Sequence, residues 1–121
     1  MKQKILLVED NDLIRENTTE LLGFYDFEIV MARNGQEGLD IAIEKKPDLI
    51  LCDIRMPFMD GYHFLEQIRK EESLTHTRFI FFTASAEKNE IEKGLNMGAD
   101  DYIIKPFSES ELLDKLKRLL A

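Results

Sequence analysis

The sequence predicts an open α/β fold: a five-stranded parallel sheet with helices wound over both faces. Three observations carry this. Strand-like and helix-like patterns alternate five times along the chain, the rhythm of successive βαβ units. The runs Ile5-Leu6-Leu7-Val8, Leu49-Ile50-Leu51-Cys52 and Phe79-Ile80-Phe81-Phe82 are apolar without alternation, as strands covered on both faces must be. Four of the runs stop at polar residues, namely Glu9-Asp10, Asp53, Thr83 and Lys105, and in a parallel sheet all four endings share one edge.

The first strand is expected at 4–8 and its helix at 12–22, with Gly23 closing that helix in a left-handed conformation. The second strand, 27–32, carries the charge of Glu28 and suits a sheet edge. Asn34 and Glu37 fit a capping box that opens a helix at 35–45, and Pro47 stops it. A third strand at 48–53 leads to a helix at 61–71, and a fourth at 78–83 leads to a helix at 87–96 closed by Gly98. The fifth strand, 101–104, is short and suits the other edge. Ser108 and Glu111 form a second capping box, and Leu112, Leu113, Leu116, Leu119 and Leu120 draw one apolar stripe along a helix at 109–120. The order 2-1-3-4-5 puts runs 2 and 5 at the edges with right-handed crossovers. It sets the switch point between strands 1 and 3, where Glu9, Asp10 and Asp53 emerge. Other orders with the same edges fit the pattern too.

The 121 residues, 44% hydrophobic and 33% charged, fit one domain spanning 1–121. A net charge of −8 argues against direct binding to nucleic acid. No apolar run approaches the ~20 residues of a membrane span, and the start of the chain does not read as a signal peptide. The lone cysteine, Cys52, suits a reducing cytoplasm. It falls on the opposite strand face from Asp53 and reads as a buried, inert thiol. His63 and His76 read as surface or half-buried residues and neither as a phosphohistidine, and Phe58 and Met59 either cover the site or pack beside it.

Three carboxylates crowded at one edge repel unless a cation or a proton intervenes. Mg²⁺ suits them because it takes oxygen ligands and keeps several waters. A carboxylate can accept a phosphoryl group as an aspartyl phosphate, and a transferring phosphoryl group calls for a metal, a lysine and hydroxyl donors around its oxygens. Lys105 precedes Pro106, and a cis bond there would aim the lysine into the cleft.

The ordered set Ile5-Leu6-Leu7-Val8-Glu9-Asp10-Asn11, Asp48 to Pro57 with Asp60-Gly61, Phe82-Thr83-Ala84, Gly98-Ala99-Asp100-Asp101-Tyr102 and Lys105-Pro106-Phe107 resembles the response-regulator receiver domains of two-component signalling, chemotaxis-regulator-like in extent. The resemblance implies a flavodoxin-like doubly wound (βα)5 fold of order 2-1-3-4-5. It implies Asp53 as phosphoacceptor, and Glu9, Asp10, Asp53 and the backbone carbonyl of Arg55 as ligands of Mg²⁺, with Mn²⁺ the alternative ion. Lys105 would pair with the acceptor, Thr83 and the Ala84 amide would bind phosphoryl oxygens, and Tyr102 would couple to Thr83 as the switch. A histidine kinase or phosphotransfer protein would be the donor. The output domain or target would meet the face of helix 4, strand 5 and helix 5, on a monomer or a phosphorylation-dependent dimer. Such a domain is not an enzyme beyond assisting its own phosphorylation and dephosphorylation.

Arg55 and Ser85, each two residues after a site residue, are expected at the pocket mouth, where they set the phosphoryl lifetime. Two rivals fare worse. An aspartyl-phosphate phosphatase of the haloacid dehalogenase type needs an acid where this chain has Arg55. A flavodoxin-like cofactor binder needs a phosphate-accepting loop where this chain has Glu9-Asp10-Asn11-Asp12.

Overall fold

The structure is a computed structural model that describes residues 2–84 and 87–120. Its strands are β1 (Lys4–Val8), β2 (Glu28–Ala32), β3 (Leu49–Cys52), β4 (Arg78–Thr83) and β5 (Asp101–Ile104). Its helices are α1 (Asp12–Gly23), α2 (Gly35–Lys45), α3 (Gly61–Lys70), α4 (Lys88–Asn96) and α5 (Glu109–Leu120), with a 3₁₀ turn at Glu72–Leu74. All strand pairs are parallel, in the order β2-β1-β3-β4-β5, so the order suggested by Glu28 and the short fifth run is the one formed.

Strand alternation divides the apolar residues between two cores. Leu6, Val8, Ile50, Cys52, Phe79 and Phe81 face Ala42 of α2 and Phe64, Leu65 and Ile68 of α3. Ile5, Leu7, Leu49, Leu51, Ile80, Phe82 and Ile103 face Leu22 of α1 and Leu112 and Leu116 of α5. The interior strands are buried on both sides, which is why their sequences do not alternate. Of the expected stripe on α5, Leu112, Leu113 and Leu116 are buried, while Leu119 and Leu120 are only half-buried at the end of the helix.

Two capping expectations are corrected. Gly23 is the last residue of α1 and not a left-handed cap. The amide of Phe24 donates to Leu21 and Leu22 and that of Tyr25 to Leu22, so a tightened last turn closes the helix. The positive φ falls at Asp26 (64°). At α2 the box is half formed as expected. The Asn34 side chain accepts from the Glu37 amide at 2.8 Å, but Glu37 returns its bond to the Arg33 amide at 3.2 Å. Gly98 does take a positive φ (112°), and Ser108 Oγ accepts from the Glu111 amide at 3.1 Å. No described helix is long and apolar enough to cross a membrane.

Candidate functional site

The ladder hydrogen bonds run past the strand ends and deliver the polar residues together. The Glu9 amide donates to Ala32, that of Asp53 to Val8, and that of Lys105 to Thr83. Continuing the alternation of β1, β3 and β5 sends Glu9, Asp53 and Lys105 toward the α1/α5 side. Lys105 Nζ lies 2.7 Å from Glu9 Oε1 and 3.0 Å from Asp53 Oδ2, and 4.5 Å from the centroid of the Phe82 ring. The Lys105–Pro106 bond is cis.

Glu9, Asp10 and Asp53 each offer a carboxylate oxygen, all within 4.8 Å of one another. Glu9 is fully buried, Asp53 half-buried and Asp10 exposed, so the cluster grades from core to cleft. Glu9 Oε2 is buried and has no hydrogen-bond partner among the described residues. Burial pushes the Glu9 carboxyl above its ordinary value; Lys105 pulls it back by hydrogen bond and charge, and Asp53 and Asp10 push it further up. Burial lowers Lys105, but the hydrogen bond to Glu9 and the charge of Asp53 outweigh it and raise the amine overall. One lysine thus serves two carboxylates, and an anionic oxygen is left over. Hard oxygen donors with an orphaned buried atom fit a divalent cation of the Mg²⁺ kind.

The loop after β3 is pulled tight. The Gly61 amide donates to Ile54 at 2.7 Å, and a Cβ at Gly61 would sit 2.4 Å from the Asp53 carbonyl oxygen. Asp60 caps α3 by accepting from the His63 amide. The Arg55 amide donates to Asp53 Oδ1 at 3.3 Å.

The Arg55 side chain is exposed but engaged. Its guanidinium meets Glu90 Oε1 of α4 at 2.9 Å, with 72% of the arginine side chain exposed. With Asp10, Asp60, Tyr62 and Glu90 it lines a cleft of about 510 Å³. Thr83 is buried. The register pairs Tyr102 with Phe81, so Tyr102, Phe81 and Thr83 share one sheet face, with Tyr102 and Thr83 as diagonal neighbours. Ala84 is exposed and lines a separate cleft with Lys105. Ser85 lies outside the described residues.

Cys52 is buried on the face away from the carboxylates, its thiol pushed well up by burial and then by Asp53 and Glu9. His63 and His76 are exposed and apart from the cluster. Phe58 does not cover the site: it is 96% exposed with φ 68°, while Met59 packs against Gly35. Two residues escape a reading of the sequence. Arg15 donates to the Glu9 carbonyl at 2.9 Å and to Asp12, bracing the first loop from α1. Glu90 holds Arg55, and only its position in the first turn of the fourth helix hints at this.

A family model described as the response regulator receiver domain matches residues 5–117. The transcriptional regulatory protein SrrA of Staphylococcus aureus is 39% identical over 120 residues, covering 99% of this chain and 48% of that protein. A probable transcriptional regulator, ycf27, of Porphyra purpurea is 38% identical over 119 residues, covering 98% and 48%. The chain therefore spans about half the length of these curated relatives. Among solved structures, the chemotaxis response regulator CheY4 of Vibrio cholerae is similar with TM-score 0.94 and 29% identity, covering 99% of this chain and 100% of that one. The receiver domain of a sensor histidine kinase from Pseudomonas aeruginosa, with a magnesium ion coordinated in its active site cleft, is similar with TM-score 0.92 and 32% identity, covering 99% and 98%.

Proposed function

Since this chain belongs to the response regulator receiver domain family, we propose that Asp53 accepts a phosphoryl group and that the resulting charge shifts the domain between two conformations. The observation that carries this is the pairing of Asp53 with Lys105 beside Glu9, whose second oxygen is buried and unmatched. In the reaction an Asp53 oxygen attacks phosphorus, and the bond to the donor nitrogen of a phosphohistidine, whose other ring nitrogen carries a proton, breaks with its electron pair on that nitrogen, giving an acyl phosphate and neutral imidazole. Lys105 balances negative charge at the acceptor in a partly dry site, where such charge-assisted bonds are strong. Thr83 and the Ala84 amide bind phosphoryl oxygens, and burial of Glu9 and Lys105 keeps bulk water from the acceptor's inner side.

Glu9, Asp10, Asp53 and the Arg55 carbonyl would hold Mg²⁺ or Mn²⁺, which when bound neutralises charge on the oxygens. The magnesium ion in the cleft of the Pseudomonas receiver domain supports this. Thr83 and Tyr102 are the switch, supported by their shared face. The donor is a histidine kinase or phosphotransfer protein of the cytoplasm. The output partner meets the face of α4, β5 and α5, on a monomer or a phosphorylation-dependent dimer. Residues 1–121 act as one receiver unit, supported by the family match over 5–117.

Incubation with acetyl phosphate should add one phosphoryl group, visible by intact-mass spectrometry, only when Mg²⁺ is present. Equal labelling in excess chelator would contradict the metal's part.

A further inference from the structure

Helix α4 is thinly attached. Among its described residues Gly94 is the one fully buried, under Phe81, where an added Cβ would lie 2.6 Å from the ring. Among the described residues, polar ties help to hold the rest. Tyr62 of α3 donates its hydroxyl to the Glu90 carbonyl at 2.9 Å, Lys93 sits 4.3 Å over the Tyr62 ring, and the Glu90 carboxylate holds Arg55.

The last tie differs from the other two because it starts at the phosphoacceptor. The Arg55 amide bonds Asp53 Oδ1 while its guanidinium bonds α4. It is also incomplete. Glu90 uses one oxygen, and its Oε2 is buried without a hydrogen-bond partner among the described residues. A guanidinium can serve two oxygens at once and prefers to.

Resting on the phosphoacceptor reading, we propose that Arg55 is an exchangeable tie: Glu90 holds it in the unphosphorylated domain, the phosphoryl group on Asp53 draws it away, and α4 loses a polar anchor. Arg55 and Glu90 line one cleft with Asp10, whose carboxylate lies within 4.8 Å of that of Asp53. A phosphoryl group brings about −1.5 to −2 charges against the single charge of Glu90, with three acceptor oxygens to match the arginine fork. Glu90 is therefore a competitor. While it holds Arg55, the phosphoryl group is open to water, whose attack on phosphorus breaks the acyl phosphate to the Asp53 carboxylate and inorganic phosphate. When Arg55 moves over, that approach is covered and α4 is loosened in the same event.

The test is a double-mutant cycle on the whole chain. Wild type, Glu90→Gln, Arg55→Ala and the double variant are loaded with acetyl phosphate and Mg²⁺. Loss of the phosphoryl group is followed by mass, and amide exchange of residues 88–96 is read before and after loading. Glu90→Gln, which keeps the side chain's shape, should lengthen the lifetime about threefold to fivefold, the factor set by an exposed ion pair, and should leave it unchanged when Arg55 is already Ala. Residues 88–96 should exchange faster in Glu90→Gln without phosphate and gain less on loading than in wild type. Equal lifetimes in wild type and Glu90→Gln, or the same lengthening with and without Arg55, overturn the exchange while leaving the phosphoacceptor reading intact. Absence of any adduct in wild type overturns that reading and this inference with it.

Discussion

Glu9 shows what each residue of the site costs the fold. Its carboxyl is held above the ordinary 4.5, so the folded protein binds that proton more tightly than the unfolded chain does. The resulting stability is present below the ordinary value and is lost as pH rises through the raised one. Lys105, raised above 10.5, contributes evenly at neutral pH and loses its share only in the alkaline range. In metal-free protein the stability of wild type relative to Glu9→Gln should therefore fall as pH climbs from the acid range toward neutrality, measured by urea unfolding at each pH. A parallel pair of curves would contradict the burden placed on Glu9. Mg²⁺ should narrow the gap at neutral pH, because a ligand of the native state stabilises it by mass action.

Asp10 is the exposed carboxylate of the cluster, so under the proposed function its part is toward the metal and not the core. Asp10→Ala should weaken Mg²⁺ binding by more than about tenfold, the loss expected even for residues that only support a ligand, while stability without metal stays nearly unchanged. Titration calorimetry giving equal affinities would reduce Asp10 to a loop residue. The sequence displayed Glu9, Asp10, Asp53 and Lys105 openly, because each ends an apolar run. It did not display that one lysine serves two carboxylates, since Lys105 and Glu9 are 96 positions apart. Nor did it display the Arg15 brace or the engagement of Arg55 by Glu90, because both depend on how helices seat beside the loops.

Among the elements, the loop from β3 into α3 sets the position of Asp53. Gly61 leaves room for the Asp53 carbonyl where a Cβ would collide with it at 2.4 Å, and backbone cannot swing away as a side chain can. Gly61→Ala should cost about 1–3 kcal/mol, the range for overpacking, and should slow phosphorylation as well by displacing Asp53. A variant as stable and as reactive as wild type would show that the loop yields freely. The β4 and β5 ends are the other element on which the proposed switch rests. Thr83→Ala should still take the phosphoryl group but show smaller phosphorylation-induced amide shifts around Tyr102; equal shifts in both proteins would contradict coupling through that sheet face. Helix boundaries were legible to within a residue or so because caps such as Asn34 and Ser108 carry local signatures. Gly23 misled for a local reason too: α1 closes by tightening onto Leu21 and Leu22, and that closure asks nothing special of the glycine.

At the scale of the whole molecule, architecture and site have one origin. Continuous apolar strands demand cover on both faces, cover on both faces demands helical crossovers, and the crossovers leave the strand ends at one edge. The order 2-1-3-4-5 then puts the ends of β1 and β3 side by side and the end of β5 within a lysine's length. Two cores pack on either side of the sheet that carries the carboxylates, while α4, with Gly94 its one buried residue among those described, is the more lightly packed element. The most direct test of the whole account is to locate the phosphoryl group. Protein loaded with acetyl phosphate and Mg²⁺, digested and mapped by mass spectrometry, should carry a single phosphoryl group on Asp53, and Asp53→Asn should carry none. A phosphoryl group on another residue of the wild type, or an Asp53→Asn protein that labels as fully as wild type, would contradict it.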